Sequence, residues 1–193
     1  MKMNAIHRVE FSGSGVVFKE LIEDPDNNPF PTPSGKIEIY SQQIADMENL
    51  MSLPIPKHME TWVNRNDQLA EKYPLQLITT HPMLRVHSQF YDVAWLAELD
   101  SQVATINAGD AESRGIGDGD RVRVFNDCGE TVVSTRVTEG MMPGVVDIPE
   151  GVWYSLNERD IDQAGSVNVL TRDEASLVGA LTSNTCLAQI QRS

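Results

Sequence analysis

Apolar and polar positions alternate most clearly in the middle of the chain. Over Arg121–Asn126 the residues Val122 and Val124 share one face, and over Thr131–Val137 so do Val133 and Val137. Asp127-Cys128-Gly129 lies between them, so the pair reads as a β-hairpin. Leu75–Thr80, Val103–Ile106, Val145–Ile148, Asn168–Leu170 and Cys186–Ile190 read as further short strands. Helical spacing is brief. Val93, Leu96 and Ala97 suggest a helix within Asp92–Leu99. Asn107 and Asp110 precede a second, over Ala111–Arg114, with Asn107 as its N-cap and Gly115 ending it in a left-handed conformation. Short strands with few helices predict a mainly β, barrel-like domain of about 120 residues, whose closure removes exposed sheet edges.

Residues 1–70 are less regular, and the sequence predicts an N-terminal arm and linker over 1–70 and the β-barrel domain over 71–193. Pro31-Thr32-Pro33-Ser34-Gly35 is turn-forming, Lys36–Tyr40 alternates like a short strand, and Ser41 is placed to cap a helix running to about Leu50. Residues 53–74 contain Pro54, Pro56 and Pro74 and read as a connecting arm with one helical turn.

Composition narrows the function classes. The 193 residues carry 28 acidic and 15 basic side chains, a net charge of −13, which argues against sequence-independent binding to nucleic-acid phosphates. Hydrophobic residues at 40% suffice for a core. No apolar run reaches the roughly 18 residues of a membrane-spanning helix, and the first residues lack the apolar stretch of a signal peptide. Two cysteines, Cys128 and Cys186, are too few for a disulfide scaffold and have no metal-ligand spacing.

The densest candidate chemistry is the loop Thr79–Ser88, which follows a predicted strand and holds Thr80, His81, Arg85, His87 and Ser88. Arg85 could fork to a phosphate, with hydroxyl donors beside it. The alternative is an ordinary polar loop. His81 and His87 are six residues apart with no nearby Cys or acid, a poor metal spacing, so no metal ligands are assigned. Trp153 and Tyr154 are candidates to wall a flat ligand, with core filling the default. The amides of Asn168 and Asn184 could read a heterocycle edge or cap turns. Asp118/Asp120 and Glu158/Asp160 read as solvated turns rather than acid–base pairs. Serine-nucleophile, dinucleotide-fold and P-loop motifs are absent.

Five segments in order resemble one family. Pro33-Ser34-Gly35-Lys36-Ile37-Glu38-Ile39-Tyr40-Ser41 is similar to the entry into the last domain of molybdopterin oxidoreductases of the dimethyl sulfoxide reductase type. Tyr73-Pro74-Leu75 through His87-Ser88 resembles that family's first strand and cofactor loop. Ile106–Ala111 through Gly115–Val124 resembles its hairpin signature, with Ala108 where the family usually has Pro. Pro143–Tyr154 and Val167–Thr171 resemble two later elements, and the order holds over roughly residues 29–190.

The resemblance implies a six-stranded double-psi β-barrel that binds molybdopterin guanine dinucleotide, the molybdenum cofactor of the family. Its matching positions are Thr80, His81, Arg85, His87 and Ser88, with Trp153, Asn168, Asn184 and Thr185 as later candidates. No residue here is assigned to catalysis or to the molybdenum. The family's iron–sulfur cysteines and molybdenum-ligating side chain belong to earlier domains and have no counterpart in this sequence. The chain is thus expected to be a C-terminal piece of a larger oxidoreductase of anaerobic respiration, inactive alone and without bound cofactor. That enzyme would reduce an S-oxide or N-oxide by oxygen-atom transfer. Expected partners are the remaining domains, an iron–sulfur subunit and a membrane anchor subunit, with a periplasmic or membrane-associated location through those subunits and no nucleic acid or direct membrane contact. The alternative reading is a free-standing double-psi barrel that recognises another protein. A third, a self-cleaving pyruvoyl-type decarboxylase, would need cleavage at a Gly-Ser bond.

Overall fold

The computed structural model describes residues 15–48, 53–60, 63–175 and 185–193. The chain divides into two compact units, Met1–Lys57 and His58–Ser193. Residues 58–70, expected within the arm, therefore belong to the second unit. Val63, Leu69 and Ala70 cluster there with Tyr73, Phe125 and Leu187, which ties this stretch to barrel residues.

The first unit holds α1 (Lys19–Glu23) and α2 (Gln42–Asp46). Ser41 caps α2 as expected, its hydroxyl accepting from the Ile44 N–H at 3.4 Å. The strand expected over Lys36–Tyr40 does not form. Ile37 and Ile39 are 73% and 74% exposed, and no described strand lies alongside to supply ladder bonds. Alternation alone does not make a strand without a pairing edge.

The second unit is a closed six-stranded barrel of β1 (Leu75–Ile78), β2 (Val103–Asn107), β3 (Arg121–Phe125), β4 (Glu130–Thr138), β5 (Val145–Asp147) and β6 (Cys186–Arg192). Around the barrel the order is β1-β5-β2-β4-β3-β6. β1 pairs with β5 and β2 with β4 in parallel, and the other four pairings are antiparallel. Exchanging β1, β2, β3 with β4, β5, β6 leaves this pairing map unchanged. The barrel therefore has the doubled topology that a double-psi fold requires. The β3–β4 hairpin runs in register from Arg121↔Ser134 to Phe125↔Glu130.

Inward positions of the strands form one core, including Leu75, Leu77, Ala104, Ile106, Val122, Val124, Val146 and Ile190, all at most 1% exposed. The strand expected over Asn168–Leu170 is instead a 3-10 turn over Val167–Val169. Val167 and Leu170 are buried in the barrel core, a spacing of three that a helical turn satisfies and a strand does not. Two further helices are short, α3 (Ala94–Ala97) and α4 (Ala108–Glu112).

Strand direction sorts the loops onto two ends. One end, the mouth, carries the residues after β1 and β5, those before β2 and β6, and the β3–β4 turn. The opposite, closed end carries α4, the turn before β3 and the β4–β5 connection.

Candidate functional site

Seven of the nine predicted site residues lie by strand direction at the mouth: Thr80, His81, Arg85, His87, Ser88, Trp153 and Thr185. Asn168 lies beside them, because its 3-10 turn packs against Gly129 in the β3–β4 turn. Asn184 lies outside the described residues.

The loop after β1 is pinned to the loop after β5. The Ile148 N–H donates to the Ile78 carbonyl at 3.1 Å, and the Glu150 N–H donates to that of Thr80 at 3.0 Å. Thr80 donates from its backbone N–H and its hydroxyl to Asp147, at 3.1 and 2.9 Å. Burial raises the Asp147 carboxyl above its ordinary value, opposed by these two hydrogen bonds. Gly151 has φ +87°, and a Cβ there would sit 1.9 Å from the His87 carbonyl oxygen. Only glycine lets the two backbones meet this closely.

This framework gathers His81, His87 and Glu150. Each imidazole presents Nδ1 to Glu150 Oε1 at 2.7 Å, and the two rings meet edge to face with centroids 5.2 Å apart. Glu150 is a residue that sequence reasoning missed. It lies 63 positions beyond His87, and only the parallel pairing of β1 with β5 brings it back.

Arg85 is half-buried. Its Nη2 donates to Gln102 Oε1 at 2.9 Å, and Gln102 Nε2 donates to the carbonyls of Pro149 and Gly165 at 2.7 and 2.9 Å. Gln102, just before β2, is thus a second positioning residue that the sequence did not signal. The guanidinium lies over the Tyr91 ring at 5.7 Å. Arg85 Nε is buried without a hydrogen-bond partner. The Arg85 side chain also lines a cavity of about 270 Å³ with Phe90, Tyr91, Leu96, Asp100 and Gln102. Asp100 Oδ2 is also buried and unpartnered.

Trp153 does not fill the core as the default reading had it. It is 54% exposed, tilts against Tyr91 with ring centroids 5.8 Å apart, and donates from Nε1 to the Ser88 carbonyl at 3.1 Å. The loop turns through left-handed backbone at His87 and Phe90, φ 52° and 69°.

Thr185 and the residues after Asn168 belong to a different patch, around the β3–β4 turn. Thr185, Leu170 and Arg172 line a small cleft with Asn126, Cys128 and Cys186. Asn126 Nδ2 donates to the carbonyls of Leu170 and Leu187, which closes the cleft from below. Asn168 is exposed. Cys186 is buried, which pushes its thiol above the ordinary value, whereas Cys128 is exposed.

Asp162 is fully buried but structural. It accepts from the Thr131 hydroxyl at 2.5 Å and from the Ser155 and Ser166 N–H groups at 2.7 Å each. It ties the loop after β5 to β4 with its oxygens already occupied.

The mouth thus presents a guanidinium, imidazoles, a hydroxyl and flat aromatic faces, with some polar atoms unused. The family model for the molydopterin dinucleotide binding domain matches residues 75–186. The chain belongs to this family. It is 42% identical over 188 residues to dimethyl sulfoxide reductase DmsA of Escherichia coli, covering 93% of this chain and 23% of that protein. It is 37% identical over 190 residues to trimethylamine-N-oxide reductase of Haemophilus influenzae, covering 92% of this chain and 22% of that one. Its fold is similar to part of acetylene hydratase from Pelobacter acetylenicus, with a TM-score of 0.73 at 20% identity, covering 88% of this chain and 25% of that one. The chain spans about a quarter of the length of the curated relatives it matches.

Proposed function

We propose that this domain holds a molybdopterin guanine dinucleotide at the barrel mouth, within a larger molybdenum oxidoreductase that reduces an S-oxide or N-oxide. One observation carries the reading. Arg85 and Asp100, a guanidinium and a carboxylate, line one cavity that Phe90 and Tyr91 wall with aromatic faces. A flat heterocycle with an amide-like edge and a nearby phosphate supplies partners for a guanidinium and a carboxylate. The donor set at the mouth therefore fits the dinucleotide.

In this reading Arg85 holds the ligand electrostatically, with Gln102 keeping the guanidinium in place. Thr80 fixes the loop that presents His81, and Ser88 with Trp153 fixes its other end. His87, Asn168, Asn184 and Thr185 are proposed contributors, Asn168 and Thr185 from the patch around the β3–β4 turn. The bound group supplies two-electron redox chemistry at molybdenum. The chain's own residues bind it, orient it and exclude water. Exposed apolar side chains at the mouth, Met83, Phe90, Trp95, Trp153 and Tyr154, give it a face for the remaining domains to cover. An iron–sulfur subunit, a membrane anchor subunit and a periplasmic or membrane-associated location belong to the same proposal, resting on the likeness to DmsA.

The test is Arg85→Ala in the full-length enzyme, read as molybdenum and dinucleotide content per polypeptide. Loss of a charge-assisted bond of about 1.5–3 kcal/mol should weaken retention by roughly ten- to a hundredfold. Unaltered content after dialysis would reject the assignment.

A further inference from the structure

We propose that Cys128 and Cys186 form a reversible disulfide that ties the β3–β4 turn to the start of β6. The inference is independent of the dinucleotide reading, since it concerns two thiols to which that reading gives no part. Both cysteines are free in the structure, Cys186 buried at 4% exposure and Cys128 exposed. They line one cleft of about 20 Å³, room for roughly one water molecule. So small a space holds no ligand of its own, and it sets the side chains on its walls close together.

Strand register brings the two together. β3 and β6 pair antiparallel as Val122↔Arg192, Arg123↔Gln191, Val124↔Ile190 and Phe125↔Gln189. Continued toward the mouth, the same register sets Asn126 against Ala188, Asp127 against Leu187 and Cys128 against Cys186. Asn126 keeps close to it, its Nδ2 donating to the Leu187 carbonyl at 3.0 Å. Residues opposite each other in an antiparallel ladder have Cα atoms about 4.5–5.5 Å apart, inside the roughly 4.4–6.8 Å that a disulfide spans. The turn departs from that line at Cys128. There the Asn126 N–H donates to the Gly129 carbonyl at 3.1 Å, and the Cys128 N–H to Asn126 Oδ1 at 2.8 Å. The exposed turn residue is therefore the one that moves to close the bond. The sulfurs also sense one another. Burial raises the Cys186 thiol most, the Arg172 N–H that donates to its sulfur opposes the rise, and a negative charge at Cys128 adds to it.

Burial decides the order of the steps. Only a thiolate is nucleophilic, and the buried Cys186 is shielded and held protonated, so Cys128 reacts first. Cys128 loses its proton to solvent. Its sulfur attacks a small-molecule disulfide, forming a mixed disulfide and releasing one small thiol. Cys186 then attacks Cys128 Sγ and expels the second small thiol, which takes up the Cys186 proton. Two protein thiols are oxidised to one disulfide while one small-molecule disulfide is reduced to two thiols, so atoms and electrons balance. The product cross-links two walls of the cleft, and a reducing thiol pool reverses it.

The experiment equilibrates the reduced 193-residue chain in buffers of stepped oxidised-to-reduced glutathione ratio, read by intact mass and by thiol titration in denaturant. Both thiols should disappear together, with the loss of two hydrogens and one linked peptide pair carrying Cys128 and Cys186. Half-oxidation of the folded chain should come at a ratio roughly tenfold or more below that of the denatured chain, since a bond that stabilises the fold is favoured by the fold to the same degree. The oxidised chain should unfold roughly 5–15 °C above the reduced one. Cys186→Ser should stop at a single glutathione adduct on Cys128, and Cys128→Ser should leave Cys186 unmodified. The first three readouts come from the unaltered chain, so no variant's folding bears on them. Retention of both thiols at the most oxidising ratio, a glutathione adduct without the cross-link, a link between two chains, or equal half-oxidation ratios folded and denatured would overturn the proposal.

Discussion

The two ends of the barrel use their polar side chains in opposite ways. At the closed end they are spent on the backbone. Asn107 Oδ1 accepts from the Gly109 N–H, Asp110 Oδ2 from that of Gly144, Asp118 Oδ1 from that of Val137, and Asp120 Oδ2 from that of Gly117, at 2.6–2.9 Å. These are short side chains satisfying nearby donors, the usual work of Asn and Asp at caps and turns. At the mouth some polar side chains also bond the backbone, as Gln102, Trp153 and Asn126 do, but others meet each other or lie buried without a partner. Two imidazoles share one carboxylate, and Arg85 Nε and Asp100 Oδ2 lie buried without partners. Large apolar side chains that would lower the free energy of a core stand in solvent beside them. One end spends its polar groups on the barrel, and the other carries the groups proposed to meet the ligand.

Three substitutions put this contrast at risk. The largest effect is expected from Gly151→Ala, where a new Cβ meets the His87 carbonyl and the backbone sits at positive φ. It should cost about 3 kcal/mol or more in denaturant unfolding, and should separate the His81 and His87 resonances from their present environment. A near-neutral result would mean the mouth loops are not held by this contact. Next is Asp110→Ala at the closed end. It leaves the half-buried Gly144 N–H without its acceptor and removes the partner of Arg114, for a loss of about 1–3 kcal/mol. Arg85→Ala at the mouth should by contrast cost the isolated chain less than about 1 kcal/mol. If the two costs are reversed, the division of labour between the ends is wrong.

The smallest effect concerns acid. The Asp147 carboxyl is raised in the folded chain, chiefly by burial, above its unfolded value near 3.8. Between those two values the folded state binds more protons than the unfolded one. Stability should therefore fall as pH rises through that window, because ν_U is below ν_N there. Asp147→Asn should flatten this segment of the pH–stability curve. A slope that survives the substitution would trace it to another group.

The β3–β4 hairpin shows how much local information suffices. Alternation at Val122, Val124, Val133 and Val137, with a reversal at Asp127–Gly129, predicted it to within a residue or two, since both strands and their turn are contiguous. The Asn107 cap and the left-handed Gly115 were legible for the same reason. Lys36–Tyr40 and Asn168–Leu170 were misread because pattern alone does not say whether an edge or a core awaits the segment. In the site, Thr80 through Ser88 stood out as one polar loop, while Glu150, Gln102 and Asp100 carried no signal of their own.

By itself the sequence determined the six barrel strands, the hairpin, the capped turns of the closed end and the family to which the domain belongs. Each rests on residues close together in the chain, where side-chain period and turn chemistry act directly. Tertiary structure alone decided the mouth. Parallel pairing of β1 with β5 carries Glu150 to His81 and His87, and the pairing of β2 with β5 brings Gln102 to Arg85. Such meetings depend on barrel closure and register, which no local pattern encodes, and they set which polar atoms are left over for a ligand.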